Sequence, residues 1–527
     1  MIFRSPFPEI VIPAVPLAKL VLGQAAERAS KPALIDAEAG RMLSYGQLAD
    51  LVERVAVGLR RLGLCKGDVL ATLLPNLPEF PAIFLAVVHA GGICSTMSPL
   101  YTATEIATQL RDSGARFLVT VPMLLDTARS ATAGVDVRLI VVGPAQNAIS
   151  FEELAIGAND LAPPEIDPTQ DLAALPYSSG TTGLPKGVML THRNLVANTL
   201  QSGVLNVAED DVMIAVAPFF HIMGMSCIML NGLFRGLTLV TMPRFDLAGF
   251  LAAIERYRIS CAILAPPLVL ALAQHPLVDR HDLSSLRWIV SGGAPLGAEV
   301  GRACAQRLGC QLGQGWGMTE CAGIGAIYSP GGGKPGTLGV CVPNTEMKVI
   351  DPVTGVELEP GAIGEICLRG PNVMKGYFRQ PAATAATVSS EGWLRTGDIG
   401  SVDVDGFVSI VDRLKELIKY KGYQVAPAEL EALLLTHPAV ADAVVIPSPD
   451  EQAGEVPKAF LVLKVDSPTV PDPEQIIAWV ADQVAPYKRI RRYELIDLVP
   501  RTASGKIVRR GLIERERKLQ SAALTEQ

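Results

Sequence analysis

The sequence predicts a multidomain α/β and α+β protein, with a large layered α/β body at the N-terminus and a small α+β domain after it. Three observations predict it. The chain has 527 residues, more than one core of about 250 to 300 residues accommodates. Strand-like and helix-like patterns alternate through the first 170 residues, as in a parallel sheet covered by helices. After Val411 the pattern changes, and the last 116 residues read as a unit of their own. The expected domains are therefore 1–411 and 412–527.

Along the body, Leu43 to Val52 opens with Ser44 as a capping residue, and Leu48, Leu51, Val55 and Leu59 follow on one helical face. Asp68 to Leu74 reads as a buried strand, Phe80 to Val88 as a helix ended by Gly91 and Gly92, and Arg116 to Val121 as a further strand. The Pro- and acid-rich run from Leu161 to Pro168 is a loop that separates this half from the next. Beyond Val411, a helix from Pro427 aligns Leu430, Leu433 and Leu434. Strands follow at Ala443–Ile446 and Ala459–Leu463, then a helix near Pro473 to Val484. No internal repeat, low-complexity tract or heptad run interrupts this order.

Composition narrows the function classes. At 49% hydrophobic and 19% charged residues the chain can bury an ordinary core. Its 46 basic and 53 acidic residues leave a net charge of −7, which argues against nucleic-acid binding by bulk electrostatics. Nine cysteines without a C-x-x-C pair read as reduced thiols of a cytoplasmic protein. The Pro-interrupted N-terminus lacks a signal-peptide core, and the C-terminal Leu-Thr-Glu-Gln is no peroxisomal address. Residues 80–104 and 217–234 contain no Asp, Glu, Lys or Arg, but both carry His and Gly. Buried core is expected there, not a transmembrane segment.

The segment Tyr177-Ser-Ser-Gly-Thr-Thr-Gly-Leu-Pro-Lys-Gly-Val188 carries the strongest chemical signal. It lies between a short apolar run and a helix that Thr191 can cap. Four hydroxyls, three glycines and Lys186 in one turn can wrap a polyphosphate. Pro185 stands where a Walker A loop needs its second Gly, so an ordinary kinase or motor ATPase is not expected. Four more segments follow in order: Gly313 to Glu320 (GQGWGMTE), Trp393 to Asp398 (WLRTGD), the lysine-rich block from Val411 to Glu431, and Pro500 to Lys506 (PRTASGK).

Together these five segments resemble the adenylate-forming (ANL) superfamily over nearly the whole chain, and the block from Val411 to Glu431 is most similar to the 4-coumarate:CoA ligase branch. The resemblance implies the adenylate-forming enzyme fold with a mobile C-terminal domain. It also implies an ATP-dependent carboxylate:CoA ligase that makes an acyl-AMP and then an acyl-CoA thioester. ATP, Mg2+, CoA and a small carboxylic acid would be its ligands. A stand-alone adenylation protein loading a carrier-protein thiol is the alternative enzyme reading. A catalytically dead nucleotide-binding module is disfavoured, because Lys186, Glu320, Asp398, Arg413 and Lys506 are all present.

By the same resemblance, Ser178, Ser179, Gly180, Thr181, Thr182, Gly183 and Lys186 surround the ATP phosphates, with Gln314, Gly315, Trp316 and Thr319 around the nucleotide. The flat Trp316 can stack on a purine, and the Glu320 carboxylate can hold Mg2+. Alone, Trp316 would read equally well as core. Asp398 and Arg413 fall on the ribose hydroxyls, and Lys506 on the α-phosphate during adenylation. An isolated C-terminal lysine would otherwise be a solvated charge. Residues 485–520 hold 11 Lys/Arg against 4 Asp/Glu, which suits an anionic nucleotide and equally a solvated face.

Lys415 matches the hinge, Lys419 and Gln424 would face the acyl-adenylate, and Lys421 and Gly422 would line the pantetheine tunnel. Arg244 stands where the family often holds a lysine near the CoA phosphates. His221, alone a core histidine, matches a residue at the substrate carboxylate. Met223, Cys227, Gly293, Gly315 and Ile327 match the acyl pocket. Plant hydroxycinnamate-activating members carry Tyr and Ser at the first two positions, so this chain lacks two hydroxyls that could recognise a phenol. A roomy apolar tunnel for arylpropenoic, arylalkanoic or medium-chain fatty acids is expected.

Overall fold

The computed structural model describes residues 1–156, 161–178, 185–205, 207–328, 333–334, 336–414, 416–421, 423–450, 452–464, 472–502 and 505–525; the side chains of Gln424 and of residues 520–525 lie outside the description. Four sheets organise them.

The first sheet places the strands Val69–Leu73, Ile93–Met97, Phe117–Thr120 and Arg138–Val141 in parallel register. Its crossovers are the helices Glu79–His89, Ala103–Ser113 and Leu125–Thr132. Helices that cover both faces of a parallel sheet bury its strands on both sides and favour largely apolar residues in them. Accordingly, every residue of Val69–Leu73 and of Ile93–Met97 is buried. The second sheet repeats the arrangement with Pro32–Asp36, Thr238–Thr241, Val212–Ala215, Cys261–Leu264, Trp288–Ser291 and Gln311–Met318, all parallel. At its far side Gly323–Ile327 turns back antiparallel on Gln311–Met318.

Local signals set several boundaries. Ser44 accepts from the Gln47 N–H and caps the helix Tyr45–Arg61, while Thr191 accepts from the Asn194 N–H and caps His192–Gln201. The uncharged run 217–234 is not one helix. It contains a π-helical stretch, Met223–Leu230, followed by a short helix, Asn231–Arg235. Among the described residues, no helix is long and apolar enough to cross a membrane.

A third, antiparallel sheet follows, built from Glu346–Ile350, Gly364–Arg369, Leu394–Val402 and Val408–Arg413, with Phe3–Arg4 on its edge. The last strand carries the chain two residues beyond 411 before it leaves this sheet, so Arg413 faces Asp398 in register. The fourth sheet, from Ile418–Tyr420, Tyr423–Val425, Val440–Asp450, Gly454–Leu463 and Arg492–Leu495, packs against the helices Pro427–Leu434 and Pro473–Ala481. Ile418, Leu430, Leu434, Val445, Leu461 and Ile476 form a core there that is separate from the large one beneath the first three sheets.

Candidate active site

Parallel sheets present ligand sites beyond the carboxyl ends of their strands. Here Ser98 follows Ile93–Met97, and Gly292 and Gly293 follow Trp288–Ser291, and all three line a cavity of about 290 Å³. The hairpin Gly315–Ile324, the π-helical stretch, the third sheet and the loop ending at Lys506 complete its walls.

One end of the cavity is charged. Glu320 is buried, and its Oε1 accepts from the Ser178 hydroxyl at 2.6 Å and from the Tyr377 hydroxyl at 2.9 Å. Asp398 is held on both oxygens: the Trp316 indole N–H donates to Oδ2 at 2.8 Å, and Arg413 Nε lies 3.1 Å from Oδ1. Behind this carboxylate, buried Glu365 accepts from the Gly397 N–H at 3.1 Å and from Arg395 Nε at 2.9 Å, fixing the Thr396-Gly397-Asp398 turn. The charge of Asp398 raises the Arg413 guanidinium above its ordinary value, against the opposing effect of burial.

Lys506 reaches this end from the last loop of the chain. The Thr502 hydroxyl accepts from its backbone N–H at 3.1 Å, and Thr502 N–H donates to its carbonyl at 2.8 Å. Gly505, at φ +83°, lies so close to the second sheet that a Cβ would meet the Ala265 Cβ at 2.8 Å. Glycine therefore lets the loop approach the body closely. Burial lowers the Lys506 ammonium below its usual range, and Arg413 adds to the effect. Asp398, Glu320 and Glu416 oppose it.

The other end is largely apolar, with Met223, Cys227, Ile263, Val290 and Ile324 on its walls. Met223 and Cys227 lie four residues apart on the π-helical stretch, and both reach the cavity. Gly292 leaves room for the Met223 sulfur, which would stand 3.3 Å from a Cβ there. His221 joins the two ends. Its Nδ1 accepts from the Met223 N–H at 3.3 Å, so the neutral ring carries its proton on Nε2. Burial, and secondarily Lys506, push its pKa down to about 3.

The imidazole therefore stays an uncharged donor at neutral pH. The sign for stability follows: the folded value lies below the 6.5 of a free imidazole, so unfolding takes up a proton in acid. His221→Gln is expected to lose less stability than the unaltered chain as pH falls from about 6.5 to about 4, measured by denaturant unfolding across that range. Identical pH dependence in the two proteins would refute the assignment.

A family model described as AMP-binding enzyme matches residues 22–378, and one described as AMP-binding enzyme C-terminal domain matches residues 429–506. The chain belongs to the AMP-binding enzyme family. It is 45% identical over 525 residues to 4-coumarate–CoA ligase 5 of Oryza sativa subsp. japonica, across 97% of this chain and 96% of the relative. Among solved structures, ATP-bound MatB from Rhodopseudomonas palustris matches with a TM-score of 0.88 at 30% identity, over 96% of this chain and 100% of that one. The anthranilate CoA ligase AuaEII in complex with anthranoyl-AMP matches with a TM-score of 0.90 at 29% identity, over 97% and 99%. The fold is that of the adenylate-forming enzymes, as the sequence resemblance implies.

Within this AMP-binding enzyme, the cavity gathers Ser178, His221, Met223, Cys227, Gly293, Gly315, Trp316, Thr319, Glu320, Arg413 and Lys506, with Asp398 bonded to two of them. Other expected residues stand elsewhere. Ile327 lies in the core and off the cavity wall, although its register partner Gly315 lines the cavity. Gln314 is also off the wall, and its carbonyl accepts from the Tyr328 N–H. Lys186 is buried and also off the wall, its ammonium 4.7 Å from the centre of the Tyr377 ring.

Arg244, Lys419 and Lys421 are exposed and line no part of the cavity. The Lys419 N–H donates to Glu455 at 2.8 Å, and Lys421 adopts φ +47°. Ser179, Gly180, Thr181, Thr182, Gly183, Lys415, Gly422 and the Gln424 side chain lie outside the described residues. Tyr377 and Glu365 are the residues that sequence reading missed. Glycine before an aromatic in Met374-Lys-Gly-Tyr-Phe378 was the available signal for Tyr377; Glu365 had none.

Proposed function

We propose that the protein is an ATP-dependent acid–thiol ligase that activates a carboxylic acid as its acyl-AMP and transfers the acyl group to CoA. The observation that carries this reading is the convergence of Lys506, Arg413, Glu320 and His221, from four distant parts of the chain, on one cavity with an apolar far end. The carboxylate of the acid, near the neutral Nε2–H donor of His221, attacks the α-phosphorus of ATP, and pyrophosphate leaves. Lys506 offsets the charge that develops on the α-phosphate. Asp398, oriented by Trp316 and Arg413, accepts hydrogen bonds from the ribose hydroxyls. The CoA thiolate then displaces AMP.

Glu320 fits Mg2+. It offers one buried hard carboxylate, and this ion typically takes one or two such ligands together with substrate phosphates. Among the described residues no group of three or more His, Cys, Asp or Glu forms a cage for a different metal. When bound, Mg2+ would neutralise phosphate charge. Serving CoA requires a second arrangement, in which the chain beyond about residue 411 turns at Lys415 and brings Lys419, Lys421, Gly422 and Gln424 toward the cavity, with Arg244 near the CoA phosphates. The exposed positions of Lys419 and Lys421, beside an inserted Lys506, suit the adenylating arrangement. Nine free cysteines, eight of them buried, suit the reducing cytoplasm.

The acid is aryl, such as an arylpropenoate, or of medium chain length. Met223 and Cys227 offer this ligand no hydroxyl, so 4-hydroxylation is expected to bring little gain in kcat/KM over the unsubstituted ring. The experiment is carboxylate-dependent ATP–pyrophosphate exchange and CoA-dependent AMP formation across a panel of such acids. Both activities are expected with at least one acid, and absence of both across the panel sinks the reading.

A further inference from the structure

Tyr377 is buried and comes from an element that carries none of the expected site residues. The two-residue strand Gly376–Tyr377 pairs antiparallel with Val188–Met189, so Tyr377 lies opposite Val188, two residues along the strand from Lys186. Its backbone is held on both sides: the Tyr377 N–H donates to the Thr384 hydroxyl at 2.9 Å, and the Phe378 N–H donates to the Gly187 carbonyl at 2.8 Å. A side chain anchored in this way has little freedom to leave.

Two charged groups meet that side chain. Its hydroxyl donates to Glu320 Oε1 at 2.9 Å, and the Lys186 ammonium stands 4.7 Å from its ring centre. The Ser178 hydroxyl donates to the same Oε1 at 2.6 Å, and no hydrogen bond from a described residue reaches Oε2. Two hydroxyls thus fix the orientation of the carboxylate through Oε1. The ring face draws the ammonium by its quadrupole.

We infer that Tyr377 is a positioning residue that sets, from one ring, both the carboxylate that receives the divalent cation and the lysine of the phosphate loop. This rests on the ligase reading for the identity of the ligands, and on the geometry alone for the pairing. The two roles separate by substitution. Tyr377→Phe keeps the ring over Lys186 and removes only the donor to Glu320. Tyr377→Leu removes both.

The test uses the full chain with a non-hydrolysable ATP analogue and Mn2+ as the metal probe, followed by electron paramagnetic resonance. Tyr377→Phe is expected to bind Mn2+ about tenfold more weakly, the usual cost of losing a partner of a metal-ligating carboxylate, with nucleotide affinity in the absence of metal unchanged. Tyr377→Leu is expected to lose nucleotide affinity as well. In pyrophosphate exchange, Tyr377→Phe should need about tenfold more Mg2+ at half-activation, with the same KM for the acid. Unaltered Mn2+ affinity in Tyr377→Phe, with or without a fall in thermal stability, overturns the inference. An unaltered chain that exchanges with no acid sinks the ligase reading instead, while the Mn2+ measurement still decides the role of Tyr377.

Discussion

Replacing Lys506 with alanine is expected to lower carboxylate-dependent pyrophosphate exchange by about 10²- to 10³-fold, the usual effect of deleting one group aimed at charge that develops in the transition state. The ammonium enters the cavity on a loop held by two Thr502 hydrogen bonds and by the close approach of Gly505 to Ala265. Burial and Arg413 make its charge costly there, whereas Asp398, Glu320 and Glu416 favour it. A charge kept in such a place is set to respond to further negative charge, which an ATP phosphate under attack supplies.

The same substitution should leave conversion of synthetic acyl-AMP and CoA to thioester within about twofold, because electrostatic help on a departing pyrophosphate has no part in that step. Single-turnover thioester formation measures it. Equal loss in both half-reactions would contradict a division of labour between Lys506 and the lysines near Lys415. Lys506→Arg should recover only part of the exchange activity, since a planar fork does not replace a compact ammonium.

Much of this was readable in the sequence for a physical reason. Parallel strands buried on both faces are largely apolar, so Val69–Leu73 announces itself, as does the Ser44 cap, whereas Ile93–Met97, with Ser95 and Thr96 among its five residues, was not read as a strand. The π-helical turn at Met223–Leu230 left no such trace. Its path depends on Gly224, where a Cβ would come within 2.1 Å of the Pro218 carbonyl, and that contact is invisible in spacing.

The site divides in the same way. Residues that cluster in one motif, such as Gly315 to Glu320, could be read together. Tyr377 acts on a carboxylate 57 positions away and Glu365 on a turn 32 positions away, so only the folded chain pairs them. Ile327 was expected on the acyl wall and stands in the core, while Gly315, its partner across the hairpin, lines the cavity.

Two glycines on the site hairpin should behave in opposite ways. At Gly317 a Cβ would lie 1.8 Å from the Gly323 carbonyl oxygen and 3.0 Å from the Ile324 Cα, against backbone and not a flexible side chain that could yield. Gly317→Ala must therefore open the hairpin at its irregularity between Trp316 and Gly317, displacing Trp316 from Asp398 and Glu320 from Ser178 and Tyr377. Overpacking costs about 1–3 kcal/mol in an ordinary core, and rigid backbone puts this case at or above the top of that range. A shift of about 1 Å in positioned groups costs on the order of 10²-fold in rate, so exchange should fall at least that far. At Gly315 the nearest atom to a Cβ is the Val290 Cγ1, at 3.5 Å, an ordinary contact. Gly315→Ala should unfold at the temperature of the unaltered chain and lose kcat/KM only for the widest acids, because its methyl group narrows the cavity wall. Thermal unfolding and an acid series of increasing width check both, and a destabilised Gly315→Ala beside a native-like Gly317→Ala would invalidate the geometry of this hairpin.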